Sequence, residues 1–277
     1  MTGAGGQLGS DVVVACSSAG DEVVAADHAV LDVTARSDVA TFVAAARPDV
    51  VLHCAAWTAV DACEGDPARA FAANAEAVGW MREASELAGA HLLTISTDYV
   101  FDGTLDRPYH EHDEPNPRSV YGRSKLVGEQ RAGPDATVVR TSWVCGANGS
   151  NMVRTVLRLA TERDTLEFVD DQRGCPTFAS DLAWMLRRLA CERLAGIYHV
   201  TNQGAVSWYE FARSIVATMG KDPAMVRPIR TSDLDPPRPA QRPANGVLDN
   251  AALRAAGLPL LRDHREALAE LVARLAA

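Results

Sequence analysis

The sequence predicts an α/β protein built on a doubly wound parallel sheet, and three observations carry that prediction. A glycine-rich segment at residues 2–9 leads directly into a helical pattern. Short apolar runs then alternate with helical patterns, without repeats or low-complexity linkers. Small and polar residues follow the apolar runs, at the carboxyl ends of the predicted strands, where ligands bind in sheets of this type.

The composition excludes several classes of partner. The 277 residues are 47% hydrophobic and 23% charged, with a formal net charge of −9, so neither a nucleic acid nor an anionic membrane is expected to bind. No apolar run approaches the roughly 20 residues that span a bilayer. The six cysteines are scattered without a C-x-x-C pair, which indicates reduced thiols and a cytoplasmic protein.

The glycine-rich segment predicts a phosphate-binding turn. Gly3, Gly6 and Gly9 form G-x-x-G-x-x-G, which differs from the strict G-x-G-x-x-G dinucleotide fingerprint. The physical requirement is the same, because a tight turn and a close backbone approach to a pyrophosphate both favour glycine. A helix at residues 8–18 would point its first amides at the phosphates. The alternative is a plain glycine-rich turn.

Asp27 is the candidate ribose ligand. Residues 22–27 are predicted to form a strand that ends in this acid, 18 residues after Gly9. A carboxylate at that distance accepts hydrogen bonds from the adenosine ribose and disfavours the additional phosphate of NADP, so NADH is favoured over NADPH. The alternative is an aspartate of the turn at the strand end.

The middle of the chain supplies the rest of the predicted sheet. Helical patterns and apolar runs predict, in order, a helix at 37–46, strands at 50–56 and 91–96, a long amphipathic segment at 67–88 between them, and a strand at 136–144. The glycine segment, Asp27, Ala56 and Thr97 all lie at predicted carboxyl ends. They are therefore expected to line one edge of the sheet.

Tyr121 is a candidate proton donor, and Lys125 is the residue expected to adjust its pKa. They are four residues apart at the opening of a predicted helix, a spacing that places both side chains on one face. A phenol has an unperturbed pKa near ~10, and a neighbouring ammonium group favours the phenolate. Lys125 is therefore expected to lower the pKa of Tyr121 toward the working range.

The acidic loop at residues 110–114 contains His110 and His112 and raises a metal-binding alternative. A solvated loop is the favoured interpretation, because Pro115 and Pro117 indicate a rigid approach to the Tyr121 helix. No metal site is predicted.

The chain beyond residue 146 predicts a smaller lobe. Helices are expected at 151–162, 180–191, 208–219 and from 263 onward, a strand at 196–201, and a loop at 236–243. We therefore predict a dinucleotide-binding domain at 1–146 and a mainly substrate-binding lobe at 147–277. Residues 175–202 are expected to return to the first domain.

The first strand of the predicted sheet is largely missing, because only Met1 precedes Thr2 and Gly3. In this fold that strand lies at the centre of the sheet, between the strands expected at 22–27 and 50–56. We therefore expect that the functional protein begins a few residues upstream and that an extended form melts at a higher temperature.

Four motifs together resemble one family. They are T-G-A-G-G-Q-L-G at 2–9, S-T-D-Y-V-F-D-G at 96–103, Y-G-R-S-K at 121–125 and R-T-S-W-V at 140–144. In this order they resemble the dTDP-4-dehydrorhamnose reductase family of extended short-chain dehydrogenases, from residue 2 to the terminal helix. The resemblance implies that NADH or NADPH reduces the 4-keto group of a dTDP-activated 6-deoxyhexose. dTDP-4-dehydro-L-rhamnose is the favoured substrate and dTDP-L-rhamnose the product.

The resemblance also implies roles for individual residues. The catalytic residues would be Thr97, Tyr121 and Lys125. Contacts to the dinucleotide would come from Gly3, Gly6, Gln7, Leu8, Asp27, Asp32, Val33, Ala56, Trp57 and Thr58, with Tyr121 and Lys125 reaching its ribose. The sugar nucleotide would be held by Thr97, Asp98, Trp143 and Arg242.

Two other functions remain open. Reductases of other dTDP-keto-sugars, as in antibiotic deoxysugar pathways, share these motifs. A non-catalytic relative that regulates methionine adenosyltransferase binds dinucleotide without turnover. The complete set of Thr97, Tyr121 and Lys125 favours an enzyme, acting as a monomer or a homodimer.

Overall fold

The computed structural model describes residues 1–276. The helices are α1 (Gln7–Ser18), α2 (Arg36–Ala46), α3 (Val60–Gly65), α4 (Pro67–Phe71), α5 (Ala77–Ala88), α6 (Val120–Ala132), α7 (Met152–Glu162), α8 (Ala179–Cys191), α9 (Trp208–Thr218), α10 (Ala251–Ala255) and α11 (His264–Ala276). The strands are β1 (Val50–His53), β2 (His91–Thr97), β3 (Thr137–Thr141), β4 (Val144–Cys145), β5 (Leu166–Val169), β6 (Arg173–Gly174), β7 (Thr177–Phe178), β8 (Gly196–His199), β9 (Val206–Ser207) and β10 (Val226–Ile229).

The main sheet is parallel, with the strand order β1-β2-β3-β8. Its strands alternate between two buried layers, because successive side chains in a strand point to opposite faces. Leu52 and Leu93 pack with Val12 of α1 and with α8 on one face. Their neighbours Val51 and Leu92 join a second cluster with α2 and α5 on the other face. The sheet is thus covered by helices on both faces, which confirms the predicted doubly wound α/β class.

The segment at 22–27 departs from the sequence prediction. It is extended but forms only one isolated bridge, between Ala26 and Thr2. Thr2 lies between this segment and β1, where its amide donates to Leu52 O at 3.0 Å. Residues 22–27 do not form a strand because only Met1 and Thr2 lie beside them, and these two residues provide too few backbone N–H and C=O groups for a continuous series of hydrogen bonds. A cavity of about 470 Å³ continues from Met1 between the two segments, lined by none of the predicted site residues.

Three other predicted elements have different bounds. The predicted strand at 50–56 ends at His53, and the strand at 136–144 divides into β3 and β4. The division occurs at Trp143, whose φ of 48° interrupts the extended backbone. The amphipathic segment at 67–88 consists of α4 and α5 joined by a π-helical turn, Ala72–Glu76.

The second half of the chain contributes to two separate cores. β8 belongs to the main sheet, since it pairs with β3. α8 packs on α1 and covers one face of that sheet. α7, α9 and α11 instead surround a distinct apolar cluster that includes Val156, Phe211 and Leu268. Within residues 1–276, none of the helices has the length and apolar character needed to cross a bilayer.

Candidate active site

The predicted catalytic residues are brought together where β2 ends and α6 begins. Thr97 is the last residue of β2, and Tyr121 lies in the first turn of α6, one turn before Lys125. Ser119 caps α6, because its hydroxyl accepts a hydrogen bond from Gly122 N at 3.1 Å. Gly122 lets the helix approach β2 closely: a Cβ there would lie 2.2 Å from Tyr99 O. Sequence and packing therefore fix this end of α6 against the strand end.

Tyr121 is a buried phenol. Burial raises its pKa well above the ordinary value, while the Thr97 hydroxyl opposes that rise. Lys125 is not among the leading causes of this shift, and the pKa of Tyr121 is raised, so the expected lowering toward the working range is wrong for this structure. A raised pKa keeps the phenol protonated at neutral pH, which is the form that a proton donor requires.

Lys125 is buried and 4% exposed. Burial lowers its pKa to about 8, against the opposing effect of Glu129 and Cys54. Among the described side chains, no carboxylate forms an ion pair with Lys125. Its ammonium donors are therefore free for ligand hydroxyls.

The glycine-rich segment forms a close-packed turn before α1. Gly3 has a φ of 70°, and a Cβ there would lie 2.6 Å from Ala55 N. A Cβ on Gly9 would lie 2.0 Å from Gly3 O, so neither position accepts a side chain. Gly6 caps α1 without a side-chain hydrogen bond, and the first amides of the helix remain available. This arrangement fits the phosphates of a dinucleotide.

The side chains of Gln7 and Leu8 are used within the protein. Gln7 Nε2 donates to Val144 O at 2.7 Å, and Gln7 Oε1 accepts from Asn151 Nδ2 at 2.9 Å. Leu8 packs against the core that covers one face of the sheet. Only the backbone amides of these two residues are placed to contact a phosphate.

Asp27, the predicted ribose ligand, and Asp32, an implied contact to the dinucleotide, are turn residues in this structure. Asp27 Oδ1 accepts from Ala29 N at 2.9 Å and Val30 N at 3.2 Å. Its Oδ2 faces the glycine turn, 3.6 Å from the Cβ position of Gly5. Asp32 is exposed and accepts from Thr34 N at 2.8 Å, beside the half-buried Val33. Asp27 thus keeps one free oxygen at the sheet edge.

Asn74 is a site residue that sequence reasoning did not single out. It is 1% exposed and lies in the π-helical turn. Its Oδ1 accepts from Trp57 N at 2.8 Å, and its Nδ2 donates to Trp57 O at 3.0 Å and to Ser124 Oγ at 3.0 Å. The amide thereby ties the loop after β1, where Ala56 and Thr58 are exposed, to α6. The sequence signal was an uncharged polar residue flanked by alanines at 73 and 75 inside an amphipathic segment.

The predicted substrate residues occupy separate environments. Trp143 stacks on Trp208, with ring centroids 3.4 Å apart and planes 8° apart. Arg242 forms a bidentate pair with Asp61, with the shorter contact at 2.7 Å. Arg242 also lines a cavity of about 460 Å³, together with Tyr99 and Trp208. Asp98, by contrast, is 2% exposed and lies beneath the surface.

A metal centre finds no support in the residues that the structure describes. Within 1–276, no group of three or more His, Cys, Asp or Glu side chains is arranged to hold an ion. In the loop considered for metal binding, the His110 ring lies 3.8 Å from a carboxylate oxygen of Asp249, and Asp113 Oδ2 accepts from His110 N at 2.7 Å.

Comparison with known proteins identifies one family over the whole chain. Residues 1–277 match the family described as RmlD substrate binding domain. A dTDP-4-dehydrorhamnose reductase of Streptomyces griseus is 46% identical over 229 residues, 79% of this chain and 75% of the relative. A Streptomyces antibioticus protein, named for dTDP-4,6-dihydroxy-2-methyloxan-3-one 4-ketoreductase activity, is 43% identical, covering 79% of this chain and 76% of the relative.

Solved structures give the same result. A dTDP-4-dehydrorhamnose reductase of Clostridium acetobutylicum superimposes with a TM-score of 0.96 at 39% identity, covering 100% of this chain and 98% of that one. The enzyme of Bacillus anthracis in complex with NADP has a TM-score of 0.94 at 36% identity, covering 99% of this chain and 97% of that one.

Proposed function

Because the chain belongs to the dTDP-4-dehydrorhamnose reductase family, we propose that it reduces the 4-keto group of a dTDP-4-keto-6-deoxyhexose with a nicotinamide cofactor. The observation that carries the proposal is the meeting of Thr97, at the end of β2, with Tyr121 in the first turn of α6, one turn before Lys125. Residues 1–146 would hold the dinucleotide, with 175–202 returning to that unit, and 147–277 would mainly hold the sugar nucleotide.

The dinucleotide would lie along the carboxyl edge of the sheet. The backbone of Gly3, Gly6, Gln7 and Leu8 would hold its phosphates, and Lys125 its nicotinamide ribose. The bound cofactor supplies a hydride for the carbonyl carbon. The remaining chemistry belongs to the protein's own side chains.

Tyr121 would donate the proton that the reduced oxygen requires. Its buried phenol is protonated at neutral pH and lies at the same strand end as Thr97. Thr97 would donate a hydrogen bond to the same oxygen as negative charge develops there. Lys125 is close enough along α6 to hold the ribose and to stabilise charge on Tyr121 during proton transfer.

Asp27 supports a preference for NADH over NADPH. Its free Oδ2 faces the glycine turn, and a carboxylate there repels an additional phosphate on the ribose. The bound NADP in the Bacillus anthracis relative shows that the family includes a protein that binds the phosphorylated cofactor. The preference of this chain therefore depends on its own side chains around Asp27.

The cavity beside Arg242 is the proposed site for the dTDP group. Its walls combine apolar side chains, including Phe168 and Trp208, with the guanidinium groups of Arg238 and Arg242. An apolar wall accepts the flat base. Both arginines also contact Asp61, so the N–H groups that do not face Asp61 would pair with diphosphate oxygens. Trp143, stacked on Trp208 at one side of that cavity, would cover the sugar.

We propose dTDP-4-dehydro-L-rhamnose as the substrate and dTDP-L-rhamnose as the product, in the cytoplasm, with the protein acting as a monomer or a homodimer. The Streptomyces antibioticus relative supports a second candidate, reduction of a different dTDP-keto-sugar.

Absorbance of the reduced cofactor tests the proposal. The protein is incubated with dTDP-4-keto-6-deoxyglucose, with and without the epimerase that inverts C3 and C5, while NADH or NADPH is followed. Oxidation that requires the epimerase supports the rhamnose route. Oxidation without the epimerase supports the second candidate. Cofactor binding with no oxidation in either arm would support the non-catalytic regulatory alternative and contradict the proposal.

A further inference from the structure

Asp98 is a buried carboxyl group with one oxygen that has no hydrogen-bond partner. Within the described residues, Oδ2 is fully buried and unpartnered. It faces the loop after β10, where a Cβ on Gly246 would lie 2.4 Å away. Any side chain at position 246 would therefore collide with Oδ2, and the oxygen is closed off from solvent. An ionised carboxylate in this position would carry a large desolvation cost.

The other oxygen of Asp98 engages Thr97, the residue proposed to contact the substrate carbonyl. The Thr97 hydroxyl lies 3.0 Å from Asp98 Oδ1 and also accepts a hydrogen bond from Tyr99 N at 3.2 Å. A hydroxyl has one hydrogen and two acceptor positions. If Asp98 is ionised, that hydrogen must point at the carboxylate and is lost to the substrate.

We propose that Asp98 works in its neutral form, as a positioning residue that turns the single hydroxyl hydrogen of Thr97 toward the substrate carbonyl oxygen. This inference rests on the proposed function. The protonated carboxyl donates to Thr97 Oγ1, and Tyr99 N fills the second acceptor position. The hydrogen of Thr97 is then free for the carbonyl oxygen, while Asp98 keeps its proton throughout.

The surroundings favour the neutral form. The titratable groups around Asp98 are Tyr99, Tyr121 on α6 and Cys175 after β6, and none of them is cationic. Burial raises the pKa of Asp98 to about 7, and the hydrogen bond from Thr97 opposes the rise. Asp98 is therefore mostly protonated below about pH 7, where Tyr121 is also protonated.

The first test measures the protonation state without activity. Because the folded pKa lies above the unfolded value, stability contributed by the neutral carboxyl is present at acidic pH and is lost between about 4 and 7. As the pH rises from about 4 to 7, the melting temperature of Asp98→Asn should therefore increase relative to that of the wild type. Asp164→Asn, which removes an exposed carboxyl, should follow the wild type. A constant difference between Asp98→Asn and wild type would overturn the proposal.

The second test is the pH dependence of kcat/KM with the dTDP-keto-sugar. In the wild type we expect a fall of roughly tenfold per pH unit above about 7. The amide of Asp98→Asn donates at every pH, so its fall should begin near 8, where Lys125 loses its charge. In a Thr97→Val background the same substitution should leave the profile unchanged. An identical profile for wild type and Asp98→Asn would contradict the proposal, whereas wild-type inactivity at every pH would contradict the proposed function.

Discussion

Asn74 holds the backbone of Trp57 by two hydrogen bonds, one to its amide at 2.8 Å and one to its carbonyl at 3.0 Å. The same side-chain amide reaches Ser124, which donates to Tyr121 O at 2.8 Å. One buried side chain therefore sets the loop after β1 relative to the helix that carries the proposed proton donor.

Asn74→Ala should weaken cofactor binding and destabilise the protein. Each lost buried hydrogen bond costs about 1 kcal/mol, so a loss of about 1–3 kcal/mol in unfolding free energy is expected. We expect roughly a tenfold higher Kd for NADH, measured by cofactor fluorescence. The control is Ser85→Ala, whose buried hydroxyl bonds only to its own helix at Met81 O. An Asn74→Ala protein with unchanged Kd would show that the loop is held by other contacts.

Tyr121→Phe should lower kcat by roughly two to four orders of magnitude, the usual contribution of a positioned proton donor. Cofactor affinity should be largely retained, because the substitution leaves the glycine turn and Lys125, the main proposed contacts to the cofactor, unchanged. Stopped-flow or steady-state oxidation of NADH measures the first quantity, and fluorescence titration measures the second. Turnover close to wild type in this variant would remove Tyr121 from the mechanism.

Asp27→Ala should raise the KM for NADH more than the KM for NADPH. In the proposed site the lost carboxylate would accept from ribose hydroxyls that only NADH carries intact. Asp222→Ala is a matched control, since the exposed Asp222 also accepts from an amide of its own turn, Ala224 N, and has no proposed contact with the cofactor. If both substitutions leave the ratio of the two KM values unchanged, Asp27 serves only to cap residues 29 and 30.

Trp143→Ala should raise the KM for the sugar nucleotide and leave the KM for the cofactor nearly unchanged. The ring stacks on Trp208, next to the proposed dTDP cavity, and is only half-buried. A tryptophan that serves the core would instead cost about 3–5 kcal/mol of stability on truncation. A melting scan beside Trp184→Ala, which removes a ring that is 52% exposed, separates the two. A large drop in melting temperature with unchanged KM would contradict the substrate role.

The protein should lose stability as the pH falls below about 6.5. Burial lowers the pKa of both His53 and His199 to about 3, so they stay neutral in the folded chain. The unfolded chain binds those protons below about 6.5, and the loss continues until about 3, at about 1.4 kcal/mol per pH unit for each histidine. His53→Gln should reduce the fall in melting temperature between pH 7 and 5, whereas the exposed His28→Gln should not. An equal fall in both variants would contradict this assignment.

The sequence predicted the helices that cover the main sheet closely, because apolar periodicity and capping residues are local signals. The start of α6 is an example, since Ser119 and the spacing of Tyr121 and Lys125 mark it directly. Residues 22–27 were predicted wrongly as a strand. A strand needs a neighbouring strand to pair with, and this segment pairs only through Ala26 with Thr2. The division of β3 and β4 at Trp143 was also missed, since a positive φ at a tryptophan has no sequence signal.

The sequence predicted those parts of the candidate site in which the type of residue determines the chemistry. It did not predict those parts in which the properties of a residue depend on the packing around it. The glycine turn and Thr97, Tyr121 and Lys125 follow from motif and spacing. The raised pKa of Tyr121 does not, because it comes from burial by segments distant in sequence. Asn74 was overlooked for the same reason: its partners lie 17 and 50 residues away.

Deuterium transfer from labelled NADH tests directly whether the protein reduces the 4-keto group of the sugar nucleotide. The protein is incubated with NADH deuterated at the transferable position and with epimerised dTDP-4-keto-6-deoxyglucose, and the isolated product is examined by proton NMR. If the protein reduces the 4-keto group, the product carries one deuterium at C4 of the sugar in a single configuration, and Tyr121→Phe fails to form it. Deuterium at another carbon, or an unlabelled sugar beside unconsumed cofactor, would contradict the proposed reduction.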